Sequence, residues 1–396
     1  MAKKPTNFVF TNGGYRVDFA DAFVNINLFS DGGLWLWGHN GYGALGDTTI
    51  THRSSPVQTV AGGTNWKQVA GGAYHTAAIK TDGTLWTWGQ NNYGQLGDNT
   101  ATAKSSPVQT LAGGINWKQV AGGKYHTAAI KTDGTLWLWG YNGPLNGGAL
   151  GDNTATSKSS PIQTVAGGTN WKLVANGFYH TAAIKTDGTL WTWGSNTYGN
   201  LGDNTVANKS SPVQTVAGGT NWKLVACGKS FTTAIKTDGT LWTWGYNTTG
   251  QLGDNTVANK SSPVQTVSGG TNWKLVSGGQ YHTASIKTDG TLWTWGYNFY
   301  GNLGDNTVGS SAQKSSPVQT VSGGTNWKQV ACGQYHTSCI KTDGTLWTWG
   351  HNVQGQLGDG SSIVHRSSPI QTVAGGTNWK LVAGGGYHTT AISSIT

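Results

Sequence analysis

Apolar and polar residues alternate along this chain in runs of five or six, and the runs come back in a fixed order. The run Leu34-Trp35-Leu36-Trp37-Gly38 returns with its glycine at Gly89, Gly140, Gly194, Gly245, Gly296 and Gly350, at steps of 51, 51, 54, 51, 51 and 54 residues. Each copy holds four period-2 runs, the mark of strands. In one copy these are Trp66-Lys67-Gln68-Val69-Ala70, His75-Thr76-Ala77-Ala78-Ile79-Lys80, Leu85-Trp86-Thr87-Trp88-Gly89 and Pro107-Val108-Gln109-Thr110. Asp82-Gly83 between the second and third runs signals a hairpin. Proline at the start of the fourth suits an edge strand, where an N–H is not needed. Four antiparallel strands per unit, repeated seven times, predict an all-β, seven-bladed β-propeller. The chain ends on the first two strands of a unit (Trp379–Val382, Tyr387–Ile392) and begins, after residue 33, on the last two. The N- and C-terminal strands are therefore expected to share one blade and close the ring. The division is 1–33, a non-repetitive arm, and 34–396, the propeller.

Composition fits this picture. Of 396 residues 62 are Gly and 21 are Trp, only 10% are charged, and all sixteen acids are Asp. Asp belongs to turns, whereas Glu, absent here, favours helix interiors. In Leu-Trp-x-Trp both indoles lie on one strand face, which predicts inter-blade packing; a sugar-binding ladder has no need to recur in every copy. The formal charge is +9. Seven lysines come from Asn-Trp-Lys (Lys67, Lys118, Lys172, Lys223, Lys274, Lys328, Lys380) and six from Ile-Lys-Thr-Asp-Gly. Spread evenly round a repeat array, they are expected to form a solvated positive periphery, not a nucleic-acid stripe. Cys227, Cys332 and Cys339 have neither disulfide nor zinc spacing. No apolar run is long enough for membrane insertion, and Met1-Ala2-Lys3-Lys4-Pro5 lacks a signal core, so the expected site of synthesis is a cytoplasm.

Gly-x-Asn-x-x-Gly-Gln-Leu-Gly-Asp (Gly89–Asp98, Gly245–Asp254), Gly-x-Tyr-His-Thr and Asp-Gly-Thr-Leu-Trp-Thr-Trp-Gly resemble the regulator of chromosome condensation repeat, over about residues 34–396. The resemblance implies a seven-bladed propeller. Its chromatin member promotes nucleotide exchange on a small GTPase through loops outside the consensus, and no stretch here matches such a wedge.

No catalytic group breaks the repeat symmetry, and no cofactor or metal site is indicated. His75, His126, His180, His282, His336 and His388 follow Tyr, while the remaining copy has Ser230-Phe231. Equivalent atoms on different blades are too far apart to converge on a metal, so the expectation is strand-end histidines bonded to backbone. The aspartates of Leu-Gly-Asp are expected to cap turn amides.

Differences between copies gather in two loops. One follows the Gly pair: Ala73, Lys124, Phe178, Lys229, Gln280, Gln334 and Gly386. The other follows Trp-Gly and includes Tyr42, Tyr93, Leu145, Tyr198, Thr249, Phe299, Tyr300 and Gln354. In an up-and-down blade both loops emerge on one side, giving a variable rim for protein or glycan recognition. Gly14-Tyr15-Arg16-Val17-Asp18-Phe19 through Val24 is similar to the start of repeat-bearing phage structural proteins. Together these features predict a non-enzymatic recognition module of a virus particle, a bacteriophage tail or capsid appendage located on the virion. The arm, through Phe8, Phe10, Tyr15, Phe19 and Phe23, is expected to dock on other virion proteins, and the rim on a host-surface protein or glycan. The alternatives are an intracellular scaffold or GTPase exchange factor, and a secreted enzyme inhibitor.

Overall fold

The computed structural model describes residues 32–143 and 147–394. Its twenty-eight strands among the described residues, β1–β28 in chain order, make seven four-stranded antiparallel sheets. A typical blade runs from β3 (Trp66–Gly71) through β4 (His75–Lys80) and β5 (Leu85–Gly89) to β6 (Lys104–Gln109), each strand pairing with the next. The closing blade has the order β2-β1-β28-β27. There β28 (His388–Ser393) pairs with β1 (Gly33–Gly38) from Gly33↔Ser393 to Gly38↔His388, as the expected shared blade requires.

Burial follows position in the blade. β4 is buried at every residue but the last, because both of its faces meet another blade, and its small His-Thr-Ala-Ala-Ile side chains permit close approach. β6, with Pro107, is only half-buried at the outer edge. The second indole of each Leu-Trp-x-Trp is fully buried (Trp37, Trp88, Trp139, Trp193, Trp244, Trp295, Trp349). Each such ring contributes about 2–3 kcal/mol of apolar transfer. The first indole is only half-buried. Lys80 Nζ sits 4.8 Å from the Trp66 ring and 4.9 Å from the Trp86 ring, a cation–π arrangement that five other blades repeat. So one indole of each pair fastens blade to blade, and its partner serves its own turn.

A repeated hydrogen-bond seam joins the blades. Ala44 O accepts from Thr76 Oγ1 (2.8 Å) and from Trp88 Nε1 (2.8 Å), both on the following blade. The same double acceptance occurs at Gln95, Ala149, Asn200, Gln251, Asn302 and Gln356. Six of the seven threonines, each with its own proton committed, then receive the Nε2–H of the preceding blade's histidine, as in His75–Thr127 (2.9 Å) and His388–Thr76 (3.0 Å). This arrangement sets the tautomer. The expected backbone partner of these histidines is thus a threonine hydroxyl, because the ring lies across the seam and not along its own strand. Burial lowers the pKa of His75, His180, His282, His336 and His388 to about 3 and of His126 to about 4. Phe231 fills the place of the missing histidine and is fully buried.

Glycine is obligatory where seams close. At Gly83, with φ +82°, a Cβ would lie 1.9 Å from Ile115 O, while Trp117 N donates to Gly83 O at 3.0 Å. The Asp-Gly turns are thus wedged into the following blade.

Candidate functional site

Strand direction gives the disc two unlike faces. The β3–β4 and β5–β6 connections, and their counterparts, open on one of them. All thirteen tyrosines among the described residues lie there, in contact as a broken belt. Tyr74 stacks on Tyr387 with centroids 5.9 Å apart, and Tyr93 meets Tyr141 edge-on at 4.8 Å. Neighbouring hydroxyls and burial raise the pKa values of Tyr74, Tyr335 and Tyr387, with burial the larger cause.

Inside the belt, the loops after the Gly pairs surround the mouth of the central channel. Ala73 N donates to Gly123 O (3.1 Å), Gln280 N to Gln334 O (3.1 Å), Gln334 N to Gly386 O (3.0 Å) and Gly386 N to Gly72 O (2.9 Å). The mouth encloses a cavity of about 70 Å³ lined by these glycines with Phe178, Lys229, Gln280 and Gln334. On one side of it Lys124 and Lys229 flank the Phe178 ring at 5.4 and 6.0 Å. Their ammonium groups reach Tyr179 Oη (3.0 Å) and Tyr281 Oη (2.5 Å). On the other side are two histidine pairs, His39–His52 at 4.7 Å and His351–His365 at 4.9 Å, with Tyr300 packed on the second. Burial, then the neighbouring histidine, lowers the pKa of His39 and His351 to about 4.

The variable residues therefore fall into two sets. Lys124, Phe178, Lys229 and Gln334 ring the mouth, but Ala73 and Gln280 are buried among neighbouring backbone and present little side chain. Tyr42, Tyr93, Tyr198 and Phe299 stand 39–49% exposed on the outer loops, with Tyr300 beside them. Thr249 and Gln354 are tied into their own turns through Gln251 and Gln356. Leu145 and the arm residues Phe8, Phe10, Tyr15, Phe19 and Phe23 lie outside the described residues. Sequence reasoning missed the belt tyrosines Tyr74, Tyr125, Tyr179, Tyr281, Tyr335 and Tyr387, which repeat from copy to copy, and with them Tyr141, Tyr246 and Tyr297. It also missed the four extra histidines. The signal was available, since His39/His52 and His351/His365 occur together in the two copies whose fourth strand opens with Arg53 or Arg366.

The aspartates of Leu-Gly-Asp do cap turns, as Asp98 Oδ1 does for Thr100 N (3.1 Å). They also pair with the base opening the fourth strand, as in Asp47–Arg53 (2.9 Å) and Asp254–Lys260 (3.4 Å). The Asn-Trp-Lys lysines are not peripheral. They lie on β3, β7 (Trp117–Gly122), β11 (Trp171–Asn176), β15 (Trp222–Cys227), β19 (Trp273–Gly278), β23 (Trp327–Cys332) and β27 (Trp379–Gly384). These innermost strands touch one another all round the channel. A motif read without its radius in the blade looked like edge charge. Cys227 and Cys332 line the channel too, and burial pushes both thiols up to about 12, which leaves them unreactive near neutrality.

A closed ring of buried seams carrying one loop-built, aromatic face defines the class: a seven-bladed repeat propeller. The chain belongs to the RCC1-like domain family, whose model matches residues 109–395, while the regulator of chromosome condensation repeat matches 31–79 and 82–130. It is 34% identical over 352 residues to the ultraviolet-B receptor UVR8 of Arabidopsis thaliana, covering 87% of this chain and 78% of that protein. It is 31% identical over 380 residues to the E3 ubiquitin-protein ligase HERC2 of Homo sapiens, where it spans 92% of this chain but 8% of that protein. The fold is that of Prp20p from Saccharomyces cerevisiae, studied for its binding to Gsp1p and histones (TM-score 0.80, 20% identity, 94% and 93% of the two chains). Human WBSCR16 is similar (TM-score 0.78, 21% identity, 92% and 99%).

These relatives overturn the virus-particle reading, with its virion location, virion partners and host-surface ligand. They are cellular proteins of plants, animals and yeast. The non-repetitive arm, the variable rim and the lead-in resemblance had suggested a phage appendage, and the low-charge, glycine- and threonine-rich composition is equally at home in a cellular propeller. The seams account for the same composition, since glycine fits the tight turns and threonine supplies the latch hydroxyl.

Proposed function

We propose that this chain is a non-catalytic cellular scaffold that recognises a protein partner through its tyrosine face. One observation carries the reading: the thirteen described tyrosines share one face, and the outer ones are about two-fifths exposed on loops that a rigid ring holds in place. Tyrosine offers large contact area at small entropic cost and is enriched where binding energy concentrates. Receptor and binding roles among the relatives agree with this.

The test is proximity capture in cells with the full chain and with a variant combining Phe178→Ala, Tyr198→Ala, Phe299→Ala and Tyr300→Ala. Partners captured by the wild type should be lost by the variant while its melting temperature changes by a few degrees at most. Retention of every partner would refute the assignment of this face.

A further inference from the structure

The net charge of +9 resolves onto the channel axis. Residues 1–31 carry three bases (Lys3, Lys4, Arg16) and three acids (Asp18, Asp21, Asp31) and are neutral. The seven Leu-Gly-Asp aspartates are matched by the seven bases that open the fourth strands, and six of these pairs lie within 4.0 Å. The six Lys-Thr-Asp-Gly turns each carry one lysine and one aspartate. The excess in this count falls on Lys124 and Lys229 at the tyrosine-face mouth and on the seven Asn-Trp-Lys lysines at the opposite mouth, where Lys67 has an interaction of its own.

Those seven occupy the same position on seven inner strands in mutual contact, at the end away from the tyrosine face. They are half-buried, with Lys274 exposed. No ion pair joins Lys118, Lys172, Lys223, Lys274, Lys328 or Lys380 to a carboxylate among the described residues. The neighbours feel one another. Burial and Lys118 lower the pKa of Lys67; burial, Lys380 and Lys274 lower that of Lys328. A ring of like charge works against the fold that holds it unless an anion neutralises it.

We propose that this lysine ring is a binding site for a compact polyphosphate, a small molecule bearing several phosphate groups around one scaffold. A closed ring presents charge from every side of the axis, and such a ligand meets all of it at once. A nucleic-acid strand or an acidic peptide carries its charge in a line and engages one arc. The channel cavities behind the mouth, about 140 and 70 Å³, are too small for a threaded chain, so the ligand caps the mouth. Lysine ammonium groups, compact point charges on flexible stems, suit phosphates presented at varied angles.

The test is calorimetric titration of the full chain with inositol hexakisphosphate. The variants are Lys172→Gln/Lys223→Gln/Lys274→Gln on the ring and, as a charge-matched control on the other mouth, Lys124→Gln/Lys229→Gln. One-to-one binding is expected, weakening at higher salt, reduced at least tenfold by the ring variant and less than about threefold by the control. The ring variant should melt at or above the wild-type temperature without ligand, because repulsion has been removed, and this separates lost binding from lost folding. Absence of saturable binding, equal losses in both variants, or tighter binding of single-stranded RNA or a glutamate hexapeptide would overturn the proposal. The tyrosine-face capture experiment is independent of this outcome.

Discussion

The seam between blades and the loops of the tyrosine face are built from the same seven copies, yet the seam hardly varies, while the loop residues around the constant belt tyrosines vary freely. In the seam each group completes its neighbour: the threonine hydroxyl stands between a histidine N–H and a carbonyl that also holds an indole. A change in one copy leaves a buried polar atom unpaired in the next, at a cost of about 1–3 kcal/mol. On the tyrosine face a side chain meets rings that repack or water that adapts. Invariance is therefore a measure of coupling. It also explains the constant Asp-Gly turns of the opposite face, which are wedged into the following blade. Their constancy does not by itself make the varied loops functional. The clustering of the tyrosines is the stronger reason to look there.

Acid should separate the two regions most. The six seam histidines have folded pKa values near 3 or 4 against about 6.5 unfolded. Below pH 6.5 the unfolded chain binds more protons, so stability falls as pH drops, down to the folded values. Each histidine adds about 1.4 kcal/mol per pH unit. Denaturation at pH 7, 6, 5 and 4 should show a slope approaching eight protons, six from the seam and two from His39 and His351, whose pKa values burial also holds near 4. A slope of one or two would mean that the seam opens without unfolding the ring.

Single substitutions sharpen the contrast at smaller scale. At Gly134, with φ +80°, a Cβ would sit 2.1 Å from Thr169 O. Gly134→Ala should cost about 3 kcal/mol or more. Tyr198→Ala, at a side chain 39% exposed, should cost about 1 kcal/mol or less. Urea midpoints measured side by side decide it, and comparable losses would show that the face is as coupled as the seam.

The architecture was legible because period, strand count, hairpin signal and the incomplete units at either end all bear on the same ring. Placement within the ring was harder to read. Whether Lys67 sits at the hub or the edge depends on which strand of the blade faces the axis, and the proline in the fourth strand had already implied the answer. The belt tyrosines were invisible for another reason. Their constancy between copies looked structural, whereas the site they form depends on tertiary neighbours such as Tyr74 against Tyr387. Cellular role was the least legible, since glycine and threonine content reports on packing and not on where a propeller is used.

The smallest effect tests the seam most directly. Phe231 lies over Gly228 as His75 lies over Gly72; a Cβ on either glycine would lie 1.9–2.1 Å from the ring. Thr283 already donates to Gln251 O at 2.8 Å and keeps a lone pair open toward that place. Phe231→His would supply the missing donor, worth about 1 kcal/mol, while giving up a comparable amount of apolar burial. Stability at pH 7 should therefore change by less than about 1 kcal/mol. The acid slope should nonetheless steepen by nearly one proton, because a seventh histidine has been placed where burial denies it charge. If the slope does not steepen while the fold is intact, the imidazole has turned away from Thr283, and geometry rather than the histidine–threonine bond holds the blades in register.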